Sequence, residues 1–352
     1  MNHYAKAIAA GLATTLIATP ILAQRGDRPS RECVREIVEL CGRDRSQIRS
    51  CLQEKAGQLS EKCSTEMQER MQRRGGEGRR GNRGGNREGG QAQFQRTAKA
   101  DRTVIYGSDQ RQQIDVYEPD DAVDDLPLVL HIHGGGWSFG NHKLVQSKPT
   151  HFNQAEYYFA STGYRLMPDA PVEEQAKDIG AALQALRGQA SAIGFDRDRI
   201  VVMGHSAGAH LAALVATDPQ YAGDAFGAIK GVTLLDGAGY EIASSMADAE
   251  PQAKNLYRDV FGEDAARHRA LSPVTHVGGP DAPNWLALYV DGRDRSKTQA
   301  ELLVGELQAA GASAEAVAID GTDHGRMNRE LGTEAGAAQT QAVDAFLAKV
   351  FG

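Results

Sequence analysis

An α/β sandwich built on a mostly parallel sheet is the fold predicted for residues 97–352 of this 352-residue chain. Three observations carry that expectation. Short apolar runs ending in glycine turns read as buried strands of one parallel sheet, and the functional loops of such a sheet gather at its carboxyl edge. Stretches of helical period lie between those runs, and strand–helix alternation is the signature of crossover connections. A leading pair of alternating segments reads as two antiparallel strands.

In chain order, Arg102–Tyr106 and Gln112–Tyr117 alternate apolar and polar residues around the turn Gly107-Ser108-Asp109-Gln110. Leu128–His133 is a continuous apolar strand, Glu156–Tyr164 is the next strand, and Glu173–Ala190 has helical spacing. Ile200–Met203 is a buried strand followed by the helix Ala207–Ala216. Gly231–Leu235, Trp285–Val290 and Ala314–Ile319 complete the strands, and Glu241–Ser272 is expected to form a small cap.

Two of the glycine turns carry chemistry. In Gly204-His205-Ser206-Ala207-Gly208 the serine sits on a tight strand-to-helix corner that pushes its hydroxyl outward, and the flanking glycines let strand and helix approach. Such a corner is also an ordinary helix N-cap with a small-residue contact, so the pentapeptide alone does not decide. The upstream run Pro127–Trp137 ends in His133-Gly134-Gly135-Gly136-Trp137, a turn able to aim backbone N–H groups at a developing oxyanion with nothing blocking the carbonyl. Together the two turns point to catalysis by a serine.

His324, in Gly321-Thr322-Asp323-His324-Gly325, follows a strand and precedes the terminal helix, so its loop reaches the same sheet edge, where an imidazole can act as base. Of the other histidines, His133 is expected to brace its loop, His131 lies within a strand, and His205 and His210 flank the serine as packing or loop residues. No metal cluster is expected from them, and no cofactor is called for.

From Val104 onward these segments resemble the α/β-hydrolase esterases of the hormone-sensitive-lipase-like, kynurenine-formamidase-like and feruloyl-esterase-like group. The resemblance rests on Ile114-Asp115-Val116-Tyr117-Glu118-Pro119, His133–Trp137, Tyr164-Arg165-Leu166-Met167-Pro168, Asp198-Arg199-Ile200, Gly204–Gly208 and the late His324, in that order. It implies that Ser206 is the nucleophile, with the N–H groups of Gly135, Gly136 and Ala207 as oxyanion hole. It also implies an acid in the loop after Trp285–Val290, which reads Asp291-Gly292-Arg293-Asp294-Arg295-Ser296. The family position falls near Gly292, between two aspartates. Asp294 is the favoured acid because Gly-x-Asp ahead of a Ser296 helix cap resembles the family's loop; Asp291 is the alternative and Asp236 a third candidate. Trp137 and Tyr240 lie on loops expected to line the substrate site, although Tyr240 reads equally well as a packed loop anchor.

The N-terminal third has a different character. Residues 1–23 combine Lys6, a threonine-diluted apolar run and Ile21-Leu22-Ala23, the pattern of a secretory signal cut after Ala23, and the apolar run is short for a membrane span. The expected destination is periplasmic or extracellular. All four cysteines, Cys33, Cys41, Cys51 and Cys63, fall in a helix-prone segment at 29–72, too small to fold on an apolar core alone. Three pairings are possible; the nested one, Cys33 with Cys63 and Cys41 with Cys51, suits antiparallel helices. The spacing resembles the cysteine-rich repeat of Golgi glycoprotein-type proteins. Zinc is disfavoured, since no close Cys-x-x-Cys pair or nearby histidine is present.

Residues 73–96 are arginine- and glycine-rich with almost no apolar side chain, which reads as a disordered tether. Its basic character makes anionic envelope polymers a candidate weak contact, while a net charge of -7 gives no general reason to expect nucleic acid. The expected activity is hydrolysis of a small-molecule carboxylic ester by an exported serine hydrolase. An amidohydrolase of the arylformamidase kind on the same triad, or a non-catalytic envelope-binding protein, are the alternatives. Acyl and alcohol preference belong to the pocket and cap, which the motifs do not determine.

Overall fold

Eight strands form one sheet in the order β1-β2-β4-β3-β5-β6-β7-β8. In this computed structural model, residues 30–41, 59–60, 62–65, 98–120 and 125–352 are described. The strands are β1 (Arg102–Ile105), β2 (Gln113–Tyr117), β3 (Leu126–Ile132), β4 (Tyr158–Thr162), β5 (Phe195–His205), β6 (Ile229–Leu235), β7 (Asn284–Val290) and β8 (Ser313–Ile319). β1, β2 and β4 pair antiparallel, and every pairing from β4 through β3, β5, β6 and β7 to β8 is parallel. The leading antiparallel pair and the parallel remainder therefore stand as the sequence pattern predicts.

The parallel strands are apolar because both sheet faces are covered. β3 and β4 are buried at nearly every position, whereas the outer strands β1 and β8 keep exposed residues. Alternation sorts the strand residues onto two cores: Leu128, Leu130 and Val202 face one, while Val129, Val201 and Met203 face the other. Each such fully buried aliphatic side chain contributes about 1.5–3 kcal/mol.

The described helices that matter here are α1 (Arg31–Cys41), α2 (Lys148–Gln154), α3 (Val172–Ile193), α4 (Ala207–Thr217), α5 (Ile242–Ala247), α6 (Pro251–Phe261), α7 (Ala265–Leu271), α8 (Asp294–Ala309), α9 (His324–Arg329) and α10 (Ala337–Phe351). Every residue of α4 is buried, which explains its lack of a polar face. The cap expected at 241–272 is present as α5, α6 and α7. The strand expected at 156–164 is shorter than its apolar pattern, because Glu156 takes φ 62° and the Tyr157 N–H turns back to the Phe152 carbonyl.

In the cysteine-bearing segment, Cys33 in α1 is bonded to Cys63, as the nested pairing predicts. The bond closes a small buried cluster of Cys33, Ile37, Leu59 and Cys63. The Glu36 carboxylate accepts from the Ser60 hydroxyl at 2.6 Å, and Lys62 pairs with Glu32. The proposed Cys41–Cys51 pairing, the signal segment and the tether lie outside the described residues.

Candidate active site

Ser206 follows β5 directly and precedes α4, with φ 56° and ψ -119°, a region that side-chain-bearing residues rarely occupy. Its N–H donates to the Leu235 carbonyl at the end of β6, so the corner is stitched to the neighbouring strand. The glycines on either side are required by approach: a Cβ on Gly204 would lie 2.2 Å from the Gly208 carbonyl oxygen, and one on Gly208 would lie 2.2 Å from that of Ile132. Ser206 is half-buried, with its hydroxyl turned to His324.

His324 opens α9 beyond β8. The Ser206 hydroxyl donates to its Nε2 at 3.0 Å, and its Nδ1 donates to Asp236 Oδ2 at 2.6 Å. Asp236 follows β6 directly, with φ 46° and its own N–H bound to the Leu288 carbonyl of β7. The carboxylate is sealed from solvent, and its Oδ1 accepts the Val290 N–H at 3.1 Å. Burial alone would favour the protonated acid, but the bonds from His324 and Val290 and the nearby Arg293 outweigh it and hold the carboxyl well below the usual range. Asp236, His324 and Ser206 thus form one unbroken hydrogen-bonded chain at the carboxyl edge of the sheet.

The glycine turn after β3 closes the fourth side. A Cβ on Gly134 would fall 3.0 Å from Ser206 Cβ, so the turn lies directly against the serine corner. Its internal bonds run from the Ser138 and Phe139 N–H groups to the Gly135 carbonyl, at 3.2 and 3.0 Å. Those bonds use a carbonyl and not the N–H groups of Gly135 and Gly136. The N–H of Ala207, at the first position of α4, is one of the donors that a helix leaves free.

The family model BD-FAE matches residues 114–287, a stretch that contains both glycine turns and Asp236. The carboxylesterase NlhH of Mycobacterium tuberculosis is 31% identical over a 262-residue alignment that covers 68% of this chain and 79% of that protein. The chain belongs to the α/β-hydrolase esterases. A probable isoprenylcysteine alpha-carbonyl methylesterase of Arabidopsis thaliana is 25% identical over 251 residues, although the chain spans only 50% of that relative's length. Among solved structures, esterase 2 of Thermogutta terrifontis phosphonylated by sarin superposes with a TM-score of 0.62 at 20% identity, covering 73% of this chain and 96% of that one, and shows the shared fold.

In this esterase the acid beside His324 is Asp236, not Asp294 or Asp291. β7 ends at Val290, and the Asp291 N–H goes to Ile319 with its side chain in solvent. Gly292, at φ 77°, then reverses the chain, and Asp294 becomes the exposed first residue of α8. The inward-facing position of that loop is occupied by Arg293, whose Nε lies 3.0 Å from Asp236 Oδ2. A cue to Asp236 was present in the sequence: an aspartate at the last step of an apolar strand, followed by glycine.

Trp137 and Tyr240 do not line the site; each is at most 3% exposed. The Trp137 indole donates to His210 Nδ1 at 3.3 Å and packs edge-on against Tyr257 and Phe261 of α6, bolting the oxyanion turn to α4 and the cap. Tyr240 is a buried anchor of the loop after β6, with its hydroxyl occupying the space a Gly237 side chain would need. Leu256 of α6 is 38% exposed and lies beside the glycine turn, where a side chain at Gly136 would touch it at 3.4 Å.

His133 does brace its loop: its Nδ1 donates to the Gly134 carbonyl at 2.8 Å and its ring stacks on Tyr164 at 4.4 Å. Burial pushes its pKa down to about 3, so it stays neutral. His205 is more than a packing residue. Its Nε2 donates to the His324 carbonyl at 2.8 Å and its ring lies 4.6 Å from the His324 ring, which pins the base from below. Lys148 of α2, fully buried, donates to the Asn328 carbonyl at 2.7 Å and ties down the other end of α9; burial lowers its pKa to about 7.

Close approach at the serine corner has a measurable consequence. Gly208→Ala should destabilise the domain by about 2 kcal/mol or more, lowering Tm by about 4–8 °C, because only backbone can yield. Gly188→Ala, on the open face of α3 with nothing within 4 Å, should instead stabilise by about 0.4–1 kcal/mol. Thermal denaturation of the two variants beside the parent reads both signs.

Proposed function

We propose that the protein is an exported serine esterase that cleaves a small-molecule carboxylic ester through an acyl-enzyme, with Ser206 as nucleophile, His324 as general base and Asp236 as acid. The observation that carries this reading is the continuous chain from Asp236 Oδ2 through His324 to Ser206, with steps of 2.6 and 3.0 Å. Asp236 fixes the imidazole with its proton on Nδ1, which leaves Nε2 free to take the serine proton as Oγ attacks the ester carbonyl. The resulting oxyanion is received by the N–H groups of Gly135, Gly136 and Ala207. Collapse expels the alcohol, which takes the proton back from Nε2. Water, activated by the same base, then releases the acid.

No step needs a metal or organic cofactor. Export is supported by the signal-like residues 1–23 and by the Cys33–Cys63 bond, which suits an oxidising compartment. An intact triad weighs against a purely binding role.

The test is trapping. An aryl dialkyl phosphate should label the protein once, on the Ser206 peptide, and abolish hydrolysis of p-nitrophenyl acetate and butyrate in step with labelling. A label elsewhere, or ester turnover that survives full labelling, would reject the assignment. Running N-formyl aryl amides beside the esters distinguishes the amidohydrolase alternative.

A further inference from the structure

We propose that Arg293 is a positioning residue of the triad, holding the Asp236 carboxylate for His324 and setting the pH at which the base becomes competent. This rests on the assignment of Asp236 as the acid. Oδ2 accepts from His324 Nδ1 at 2.6 Å and is ion-paired with Arg293, whose Nε lies 3.0 Å away, while Oδ1 is taken by the Val290 N–H at 3.1 Å. The carboxylate is therefore held by a hydrogen bond on each oxygen and by an ion pair, and it cannot rotate without losing one of them. Arg293 is itself anchored: its N–H donates to the Val290 carbonyl, and its Nε lies 3.5 Å from the buried Ser296 hydroxyl.

The loop after β7 is where the acid was expected, yet it delivers a cation to an acid supplied by the neighbouring strand. That placement has an electrostatic consequence. A guanidinium sharing an oxygen with the imidazole opposes a second positive charge there, so it keeps the base available to lower pH. Its side chain is 37% exposed, which weakens the effect through solvent screening.

The other groups facing the pair do not substitute for it. From β5, His205 is kept neutral by burial, and from the loop after β6 so is Tyr240. Lys148 acts on His205 from α2 and is bound to the Asn328 carbonyl. On the element of His324 itself, the Asp323 carboxylate caps the Arg326 N–H and the Arg326 guanidinium pairs with Glu330. Among the described residues Arg293 is the permanent cation ion-paired with Asp236.

The experiment is the pH dependence of kcat/KM for p-nitrophenyl butyrate in the full chain, for wild type, Arg293→Gln, Arg293→Lys and Asp236→Asn. Arg293→Gln should move the acid limb up by about half to one pH unit. Arg293→Lys, which keeps the charge, should leave the limb within about a third of that shift. Salt at 1 M, where the Debye length is about 3 Å, should move the wild-type limb in the same direction and leave that of Arg293→Gln in place. That salt arm reads the effect in the unmutated protein. An unmoved limb in Arg293→Gln, with Asp236→Asn inactive, overturns the role of Arg293 and leaves the triad standing. Full turnover by Asp236→Asn removes the triad assignment and this inference with it.

Discussion

Replacing Ser206 with alanine should lower kcat for short p-nitrophenyl esters by about ten-thousand- to million-fold, with KM changed little. The size follows from the chemistry. Without Oγ no acyl-enzyme can form, and the hydrolysis that remains relies on the oxyanion donors and on binding alone. The fold should survive, because Ser206 is held by its N–H to Leu235 and its hydroxyl makes the bond to His324 and caps no backbone group. Near-UV circular dichroism and Tm within a few degrees of the parent establish that the protein measured is folded. A variant that retains more than about one per cent of parental turnover would show that the nucleophile lies elsewhere.

Asp236→Asn should lower kcat by about a thousand- to ten-thousand-fold, whereas Asp294→Asn and Asp291→Asn should leave it within about two-fold. Asparagine keeps the volume and can still accept the Val290 N–H on Oδ1. Its amide then turns toward His324 Nδ1, which donates in the parent, and toward the Arg293 cation. To avoid facing a donor, His324 must move its proton to Nε2, the nitrogen that has to receive the serine proton. Asp294 and Asp291 are exposed and make no contact with His324, so their neutralisation changes only surface charge. A large loss in Asp294→Asn with Asp236→Asn active would reverse the assignment. The two outcomes separate a triad whose acid follows β6 from one whose acid follows β7.

The parts of the site that were legible share one property. Ser206, His324 and the glycine turn at 133–137 each advertise a local backbone requirement, whether a corner, a turn or a loop after a terminal strand. The close approaches of Gly204 and Gly208 show why those glycines were informative: no other residue fits the contact. Asp236 imposed no such pattern. Choosing among Asp236, Asp291 and Asp294 required the direction of each side chain, and one left-handed glycine at 292 turned the loop so that Arg293 points in and both of its aspartates point out. Trp137 and Tyr240 misled for the same reason. Both sit on loops beside the site, but an aromatic side chain next to a pocket gains more from packing against the cap and α4 than from facing water.

The sequence by itself determined the fold class and singled out Ser206, His324 and the glycine turn at 133–137, because periodicity and turn geometry are written locally. Only the tertiary structure decided that Asp236 is the aspartate beside His324, that Arg293 is ion-paired with it, and that His205 and Lys148 hold the helix that begins at His324. Those facts depend on which strand ends lie side by side. β6 sits next to β5, so the last residue of β6 meets the serine corner, and a loop from β8 must cross the end of β7 to reach them. Proximity of that kind arises from strand order and register, and no window of the chain contains it.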